Sequence, residues 1–405
     1  MSISAPTAAS LARHWTLDPD VVFLNHGSFG ACPRVVQQYQ QTLRARIERQ
    51  PVEFFVRDME EFLDDARATL ADFVGCRAAD LAWVPNITSG VNAVLRSHKF
   101  KPGDELLVTN HEYNACRNAL EFVARRDGAT VVAANIPFPI TRLSAAHDAI
   151  MSAVSDNTRL ALLDHVTSQT GLIMPLDTLI PALRERGIST LIDGAHAPGM
   201  VDVDLEEIGA DYYSANCHKW ICAPKGAGFL HVRPEHQEFI RPTVISHGAN
   251  SRRTDRSRYL VEFDWPGTWD PTAVLSVPEA LRTLESCLSG GWAAVREHNH
   301  QLAVAGRKLV CDALAVPAPC PVEMLGSLAA VPLPDSAGPA STSPLYGDPL
   351  QAELLKRWNI EVPLVPWPKH PKRLIRISAQ LYNDISQYEL LAEALRELFP
   401  RADGP

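Results

Sequence analysis

Between residues 81 and 232 the chain repeats one pattern: a short apolar run, then a stretch with apolar residues on one helical face. The runs are DLAWVP, DELLVTN, TVVAANIP, TRLALLDHV, GISTLIDG, DYYSAN and GAGFLHV. Segments such as GVNAVLRSH and ACRNALEFVARRDG separate several of them. Near-continuous apolar runs suit strands whose sheet is covered on both faces, and intervening helices supply the cover. The alternation predicts an open α/β fold with a mainly parallel seven-stranded sheet. Such sheets take ligands at the carboxyl ends of their strands, so the residues just after each run are the ones to read for chemistry.

The pattern has edges. Residues 1–33 read as an arm ending in the turn-rich LNHGSFGACP, where Gly27, Gly30 and Pro33 interrupt regular structure. Residues 34–272 read as a large domain that opens with helical VVQQYQQTLRARIERQ and MEEFLDDARATLADFVG. Residues 273–405 read as a smaller C-terminal α+β domain, with long helices, the strands GSLAAVPLP and RLIRISAQ, and a last helix SQYELLAEALRELF. Between those strands PLPDSAGPASTSPLYGDP reads as a loop. The formal charge is −9 with scattered basic residues, which argues against nucleic acid and anionic membrane as partners. No segment approaches the ~20 apolar residues of a membrane helix, and MSISAPTAASLARHW lacks the layout of a signal peptide. The eight cysteines form no C-x-x-C and no Cys/His cluster with zinc spacing. They read as reduced thiols of a cytoplasmic protein, with no metal site.

Three strand ends carry chemistry. In DYYSANCHKW an apparently buried strand runs into Lys219 beside Trp220. Apolar surroundings favour a neutral lysine, which can attack an aldehyde to form a Schiff base; the alternative is a surface lysine whose stem lies on Trp220. In STLIDGAHAPG, Asp193 directly follows Leu191 and Ile192. A carboxylate there needs a partner; a protonated pyridine nitrogen is one, and a helix cap or an arginine is the ordinary one. His196 follows in the same loop, placed for a phenolic oxygen or for a plain loop hydrogen bond. In WVPNITSGVNAVL, Asn86, Thr88, Ser89 and Gly90 precede a helical stretch. That makes either a phosphate-binding helix start or simple N-capping. Together the three suggest a phosphorylated pyridine aldehyde, pyridoxal 5′-phosphate (PLP), as cofactor.

The motifs FLNHGSFGACP, NITSGVN, VTNHEYNA, HVTSQTG, LIDGAHAPG, SANCHKWICAPKGAGFL, WPGTWD and RLIRISAQLYN then carry a resemblance over nearly the whole chain. The sequence resembles the class V aminotransferase-like group of fold-type I PLP enzymes, within it the isopenicillin N epimerase-like branch. The resemblance implies that Lys219 and Asp193 are catalytic, holding the cofactor aldehyde and the pyridine nitrogen. It implies His196 and Ser168 near the phenolic oxygen. Thr88, Gly90, Val91 and Asn92 would hold phosphate from the helix start, with Asn216 and His218 from the strand before the lysine. Tyr113 stands where relatives stack a histidine on the ring, and His111, two residues earlier, stands as the alternative. Gly267 and Thr268 match a segment that relatives send into the neighbouring subunit's phosphate site, which implies a homodimer. Arg376 matches an arginine that binds the substrate α-carboxylate, a task suited to a guanidinium fork. Asn25 and His26 lie in the arm that closes the substrate pocket.

The shared residues leave the reaction open among amino-acid epimerase, carbon–sulfur β-lyase and aminotransferase. A persulfide-forming desulfurase is argued against, because no cysteine follows Cys320 and the loop before Arg376 contains none. A non-catalytic binding protein on the same fold is the reading from a different class; retention of Lys219 and Asp193 counts against it.

Overall fold

The computed structural model describes residues 7–343 and 347–400. The start of the segment read for a signal peptide, and residues 344–346 of the loop 332–349, lie outside them. Each of the seven apolar runs forms a strand: β1 Leu81–Val84, β2 Glu105–Thr109, β3 Thr130–Ala134, β4 Thr158–Asp164, β5 Ser189–Asp193, β6 Tyr212–Asn216 and β7 Gly228–Val232. They make one seven-stranded sheet in the order β1-β7-β6-β5-β4-β2-β3. Five neighbours from β6 to β3 are parallel, and β7 runs antiparallel to both β6 and β1.

Side chains that alternate along a strand point to opposite faces, and here both faces are buried. Leu106, Val108, Leu160, Leu162, Leu191 and Leu230 join one apolar cluster. Leu107, Ala161, Leu163, Ile192, Ala215 and Phe229 join the other. Helices α2 Ile87–Ser97 and α3 Asn114–Asp127 cover the first face through Val91, Val94, Leu120 and Val123. Helix α1 Met59–Val74 and α4 Leu176–Glu185 pack residues such as Leu63, Leu70 and Leu179 into the second. Each fully buried leucine or valine contributes roughly 1.5–3 kcal/mol, so the doubly covered sheet is the rigid frame of the molecule.

Beyond it, β8 Leu328–Leu333, β9 Leu364–Pro366 and β10 Arg373–Ser378 form an antiparallel sheet in the order β9-β10-β8. Helices Gly291–Leu314 and Ile385–Leu398 contribute Val295, Val310, Leu391 and Leu395 to the core beneath it. The arm is tied to this part: Val22–Phe23 pairs in parallel with Ile360–Glu361. All eight cysteines are free. Among the described residues no helix is long and apolar enough to cross a membrane.

Candidate active site

The lysine turn is held from behind by the arm. After β6 the chain turns through Cys217–Trp220, and the Lys219 carbonyl accepts from the Cys222 N–H and from His26 Nε2–H at 3.0 Å. The arm passes so close that a Cβ on Gly30 (φ +67°) would sit 1.9 Å from the His218 carbonyl oxygen, which only glycine avoids. Trp220 is buried and Lys219 half-buried with its side chain in the wall of a cleft, so the stem-on-tryptophan surface reading does not hold. The Trp220 indole N–H donates to His196 Nδ1 at 3.3 Å. That places the imidazole proton on Nε2, which lies 3.0 Å from Lys219 Nζ. That Nε2–H can donate to Nζ only in the neutral form of the amine, the form that attacks an aldehyde. The lysine pKa is lowered to about 8, by desolvation first, against the opposing Asp193 charge and with a smaller push from Arg376. Burial likewise holds His196 well below the ordinary histidine value, helped by the Lys219 charge.

Asp193 ends β5 across the same cleft. Strands β4 and β5 are in register with Asp164 opposite Asp193, and Ser214 of β6 is next in line. Asp193 accepts from the Ala195 N–H at 2.9 Å and from the Cys116 thiol at 3.2 Å. Glu112, from the loop before α3, joins them: oxygens of Glu112 and Asp193 and the Cys116 sulfur lie within 4.8 Å of one another. Three buried carboxyls thus share one apolar recess. Desolvation raises all three pKa values, and repulsion from neighbouring carboxylates raises Glu112 and Asp164 further. Glu112 Oε2 and Asp164 Oδ2 have no hydrogen-bond partner among the described residues. Asp193 is the one member supported by two donors and by the Lys219 charge, so it is the one to ionise. A buried anion backed by neutral acids fits a protonated pyridine nitrogen.

The helix start corrects the sequence reading. Helix α2 begins at Ile87, with Asn86 as its cap accepting from the Ser89 N–H at 3.0 Å. Asn216 Oδ1 takes the Ile87 N–H at 3.0 Å. Of the first-turn donors this leaves the Thr88 N–H, and Asn86, Ile87 and Thr88 line the cleft. Gly90, Val91 and Asn92 do not line it. The Gly90 N–H is bonded to the Asn86 carbonyl, Val91 is core, and the Asn92 amide donates to the Thr88 carbonyl. Gly90 serves packing: a Cβ there would meet Ser214 Oγ at 2.1 Å. Asn216 and His218 line the cleft, and Thr268 is exposed.

The cleft, about 270 Å³, opens beside a second hollow of about 170 Å³. The two share Ser28, Phe29, Tyr113, Ser168 and Lys219. Arg376 of β10 reaches in from the small sheet, donating to the Ser168 carbonyl and, at 2.9 Å, to Ser28 Oγ. Its strand neighbours Ile375 and Ile377 turn the other way, into the core, as alternation requires. Tyr113, the residue before α3, lines both hollows. His111 lines neither: its Nε2–H donates to the Ile136 carbonyl at 3.1 Å and Nδ1 accepts from Thr170 at 2.7 Å. Asn25 and His26 also lie behind the wall. Asn25 donates to Glu361, and His26, fully buried between Lys219 O and the Tyr382 hydroxyl, has its pKa lowered to about 3. The arm residues that face the cleft are Ser28 and Phe29. Sequence reading also missed Asp164, Glu112 and Gln169.

These features fit the donor set PLP needs: a buried amine, an anion, a helix start and an arginine. A family model for class-V aminotransferases matches residues 21–311, and the chain belongs to that family of PLP-dependent enzymes. Isopenicillin N epimerase of Amycolatopsis lactamdurans is 34% identical over 404 residues, covering 96% of this chain and 98% of that protein. A probable chloroplastic L-cysteine desulfhydrase of Arabidopsis thaliana is 29% identical over 406 residues, covering 94% of this chain and 83% of that one. Among solved structures, a lysine-to-alanine mutant of C-DES with glycine covalently linked to its PLP cofactor matches with a TM-score of 0.77. That match covers 93% of this chain and 96% of the other at 20% identity, and shows a shared fold.

Proposed function

We propose that this chain binds PLP on Lys219 and acts at the α-carbon of an amino acid, as an isopenicillin N epimerase-like enzyme. The observation that carries the reading is the Lys219 amine, next to neutral His196 and sharing one cleft with the buried Asp193 carboxylate. Asp193 would meet the pyridine nitrogen. Thr88 and the helix start, with Asn216 and His218, would hold the phosphate. Ser168 and His196 would lie near the phenolic oxygen and Tyr113 against the ring. Bound PLP supplies an electron sink for charge that develops at the α-carbon. Lys219 is the base for the α-proton, because desolvation brings its amine near neutrality at working pH. Arg376, already oriented by Ser28 and Ser168, fixes the substrate carboxylate and so the direction of the Cα–H bond. The reading includes a homodimer in which exposed Thr268 reaches the neighbouring subunit's phosphate site.

One observation favours β-elimination as a second reading. Of Tyr113, His111 and His26, the two histidines are enclosed elsewhere and only the weakly acidic Tyr113 lines the cleft as a candidate second acid–base group. Epimerisation by two bases needs such a group, whereas elimination needs Lys219 alone.

Borohydride reduction of the PLP-loaded protein, followed by peptide mapping, should label Lys219. An L- and D-amino-acid panel in heavy water then separates the reactions: deuterium at Cα with inversion for epimerisation, keto acid with a released leaving group for elimination. Keto acid with the pyridoxamine form of the cofactor marks transamination. Lys219→Ala should reduce turnover at least ~10³-fold, as loss of general-base and covalent roles together implies. Absence of the label on Lys219, or near-normal turnover in that variant, defeats the assignment.

A further inference from the structure

The end of the large sheet opposite the cleft carries a second group of ligand-type side chains. A ring nitrogen of His231 and carboxylate oxygens of Asp80 and Glu206 lie within 4.8 Å of one another. Strand β7 runs antiparallel to β6, so His231, one residue from the end of β7, sits at the edge of the sheet away from Lys219. It pairs with Leu81, the first residue of β1, and Asp80 closes the short turn Ala78–Asp80 just before that residue. Glu206 comes from the short helix Leu205–Ile208, and its N–H donates to the Gly75 carbonyl at the end of α1 at 3.0 Å. Three segments distant in sequence meet here, so no spacing of Cys and His could announce the group.

His231 is the odd member of its surroundings. The register of β7 against β1 puts its side chain on the face of Leu81, Trp83 and Phe229, all part of the apolar cluster beneath α1. The residue is 4% exposed, and its Nδ1 is buried without a hydrogen-bond partner among the described residues. A buried polar atom left unpaired is costly, and a ligand that engages it recovers the cost. Asp80 is buried beside it. Its ion-pair partner Arg77 is largely exposed and stands 3.6 Å from Oδ2, a weak and screened contact. Gln237 donates to Asp80 Oδ1 at 2.7 Å and to the Val232 carbonyl at 2.9 Å. That bond orients the carboxylate from behind, as outer-shell partners of metal ligands do.

We propose that Asp80, Glu206 and His231 form a structural site for a divalent cation of the zinc type. One imidazole nitrogen and two carboxylate oxygens are a mixed set that suits zinc and offers too few oxygens for calcium or magnesium. Two carboxylates balance the charge of the ion, and water completes a fourth position. Tetrahedral bonds of about 2.1 Å separate ligand atoms by about 3.4 Å. The three atoms therefore close up by at most ~1.4 Å on binding, and Glu206, exposed on its helix, has the freedom to do so. The ion ties the turn after α1, strand β7 and the helix 205–208 together. It takes no part in the chemistry at Lys219, and the site stands whatever reaction the cleft performs.

The test uses full-length protein with PLP added, freed of metal by a chelator and titrated with zinc chloride alone. Calorimetry and elemental analysis should find one zinc per chain, and the urea midpoint should rise with zinc concentration, because an ion that binds only the folded state stabilises it. Magnesium chloride should do neither. Glu206→Gln, at an exposed position where folding is not at stake, should weaken zinc binding at least ~10-fold, and His231→Gln at least ~100-fold with loss of the zinc-dependent rise. The cofactor's absorbance should be the same with and without zinc and in Glu206→Gln. Failure of wild type to bind zinc, a midpoint indifferent to it, or equal binding of magnesium overturns the inference. So does undiminished zinc affinity in Glu206→Gln, which would put the ion elsewhere on the chain.

Discussion

Replacing Glu112 by glutamine tests the buried carboxyl cluster, which is the most unusual electrostatic feature of the site. The structure places three acids in one recess and gives two hydrogen-bond donors to only one of them, Asp193. Glu112 should therefore keep its proton in the folded chain, through desolvation first and the neighbouring Asp164 and Asp193 carboxyls second. In the unfolded chain it ionises near ~4.3. A carboxyl whose folded pKa is raised gives stability that is fully present below the unfolded pKa and lost as pH rises towards the folded one. Above pH ~5 the folded state holds one more proton at Glu112 than the unfolded state, so stability falls by about 1.4 kcal/mol per pH unit from this group. The slope persists until the folded carboxyl itself begins to ionise. Glutamine keeps the shape and removes the titration. Urea unfolding of the cofactor-free protein across that range should give a pH slope shallower by about 1.4 kcal/mol per unit in Glu112→Gln. Unfolding at pH 7 should release one proton fewer. Parallel slopes would mean that Glu112 is ionised when folded, and the single-anion description of the recess would be wrong.

Further outcomes follow from the same geometry. Uptake of PLP by the cofactor-free protein should speed up about tenfold per pH unit below pH 8 and level off above it, since the reacting amine is neutral only above its pKa of about 8; a flat profile between pH 6 and 8 contradicts the assignment. Arg376→Lys keeps the charge and loses the fork, so kcat/KM for amino acids should fall by about 1.5–3 kcal/mol in transition-state binding, with PLP absorbance unchanged. Wild-type kinetics in this variant would remove Arg376 from carboxylate binding. Gly90→Ala places a methyl 2.1 Å from Ser214 Oγ and should destabilise the protein by about 1–3 kcal/mol in urea unfolding; an unchanged midpoint would show that α2 can shift off β6.

The frame was legible because its cause is local. A strand buried on both faces must be apolar along its length, and seven such runs are visible as plain text. Lys219 and Asp193 stood out for a related reason: an ionisable side chain at or near the end of an apolar strand must be paired or neutralised there. The start of helix α2 was less legible. Gly90 in TSG looked like the glycine of an anion loop, whereas the glycine is needed where α2 crosses Ser214 and the helix starts earlier, at the Asn86 cap. His26 looked like a pocket residue because a histidine in a turn-rich arm suggests contact with ligand; its partners, Tyr382 and the Lys219 carbonyl, are remote in sequence. Strand β9 was hidden by prolines at 363 and 366, and with it the apolar wall of the second hollow. Asp164 and Glu112 carry no local sign at all. Their meeting with Asp193 depends on the register of β4 against β5 and on the path of the loop before α3.

That dependence says where precision in this site comes from. The reacting amine is not positioned by its own strand alone. Its backbone carbonyl is gripped by His26, whose other nitrogen is fixed by Tyr382, and the neighbouring Gln380 amide lies 3.4 Å from the same imidazole. Asn383 closes the circuit by donating to the Phe23 carbonyl of the arm. The segment 378–383 is continuous with β10, which carries Arg376. Arg376, proposed to bind the carboxylate, and Tyr382, which fixes the histidine that holds the lysine turn, therefore belong to one stretch of chain. Moving it would disturb Arg376 and the His26 contact to the Lys219 carbonyl together, so the Arg376–Lys219 distance depends on how this stretch packs on the arm.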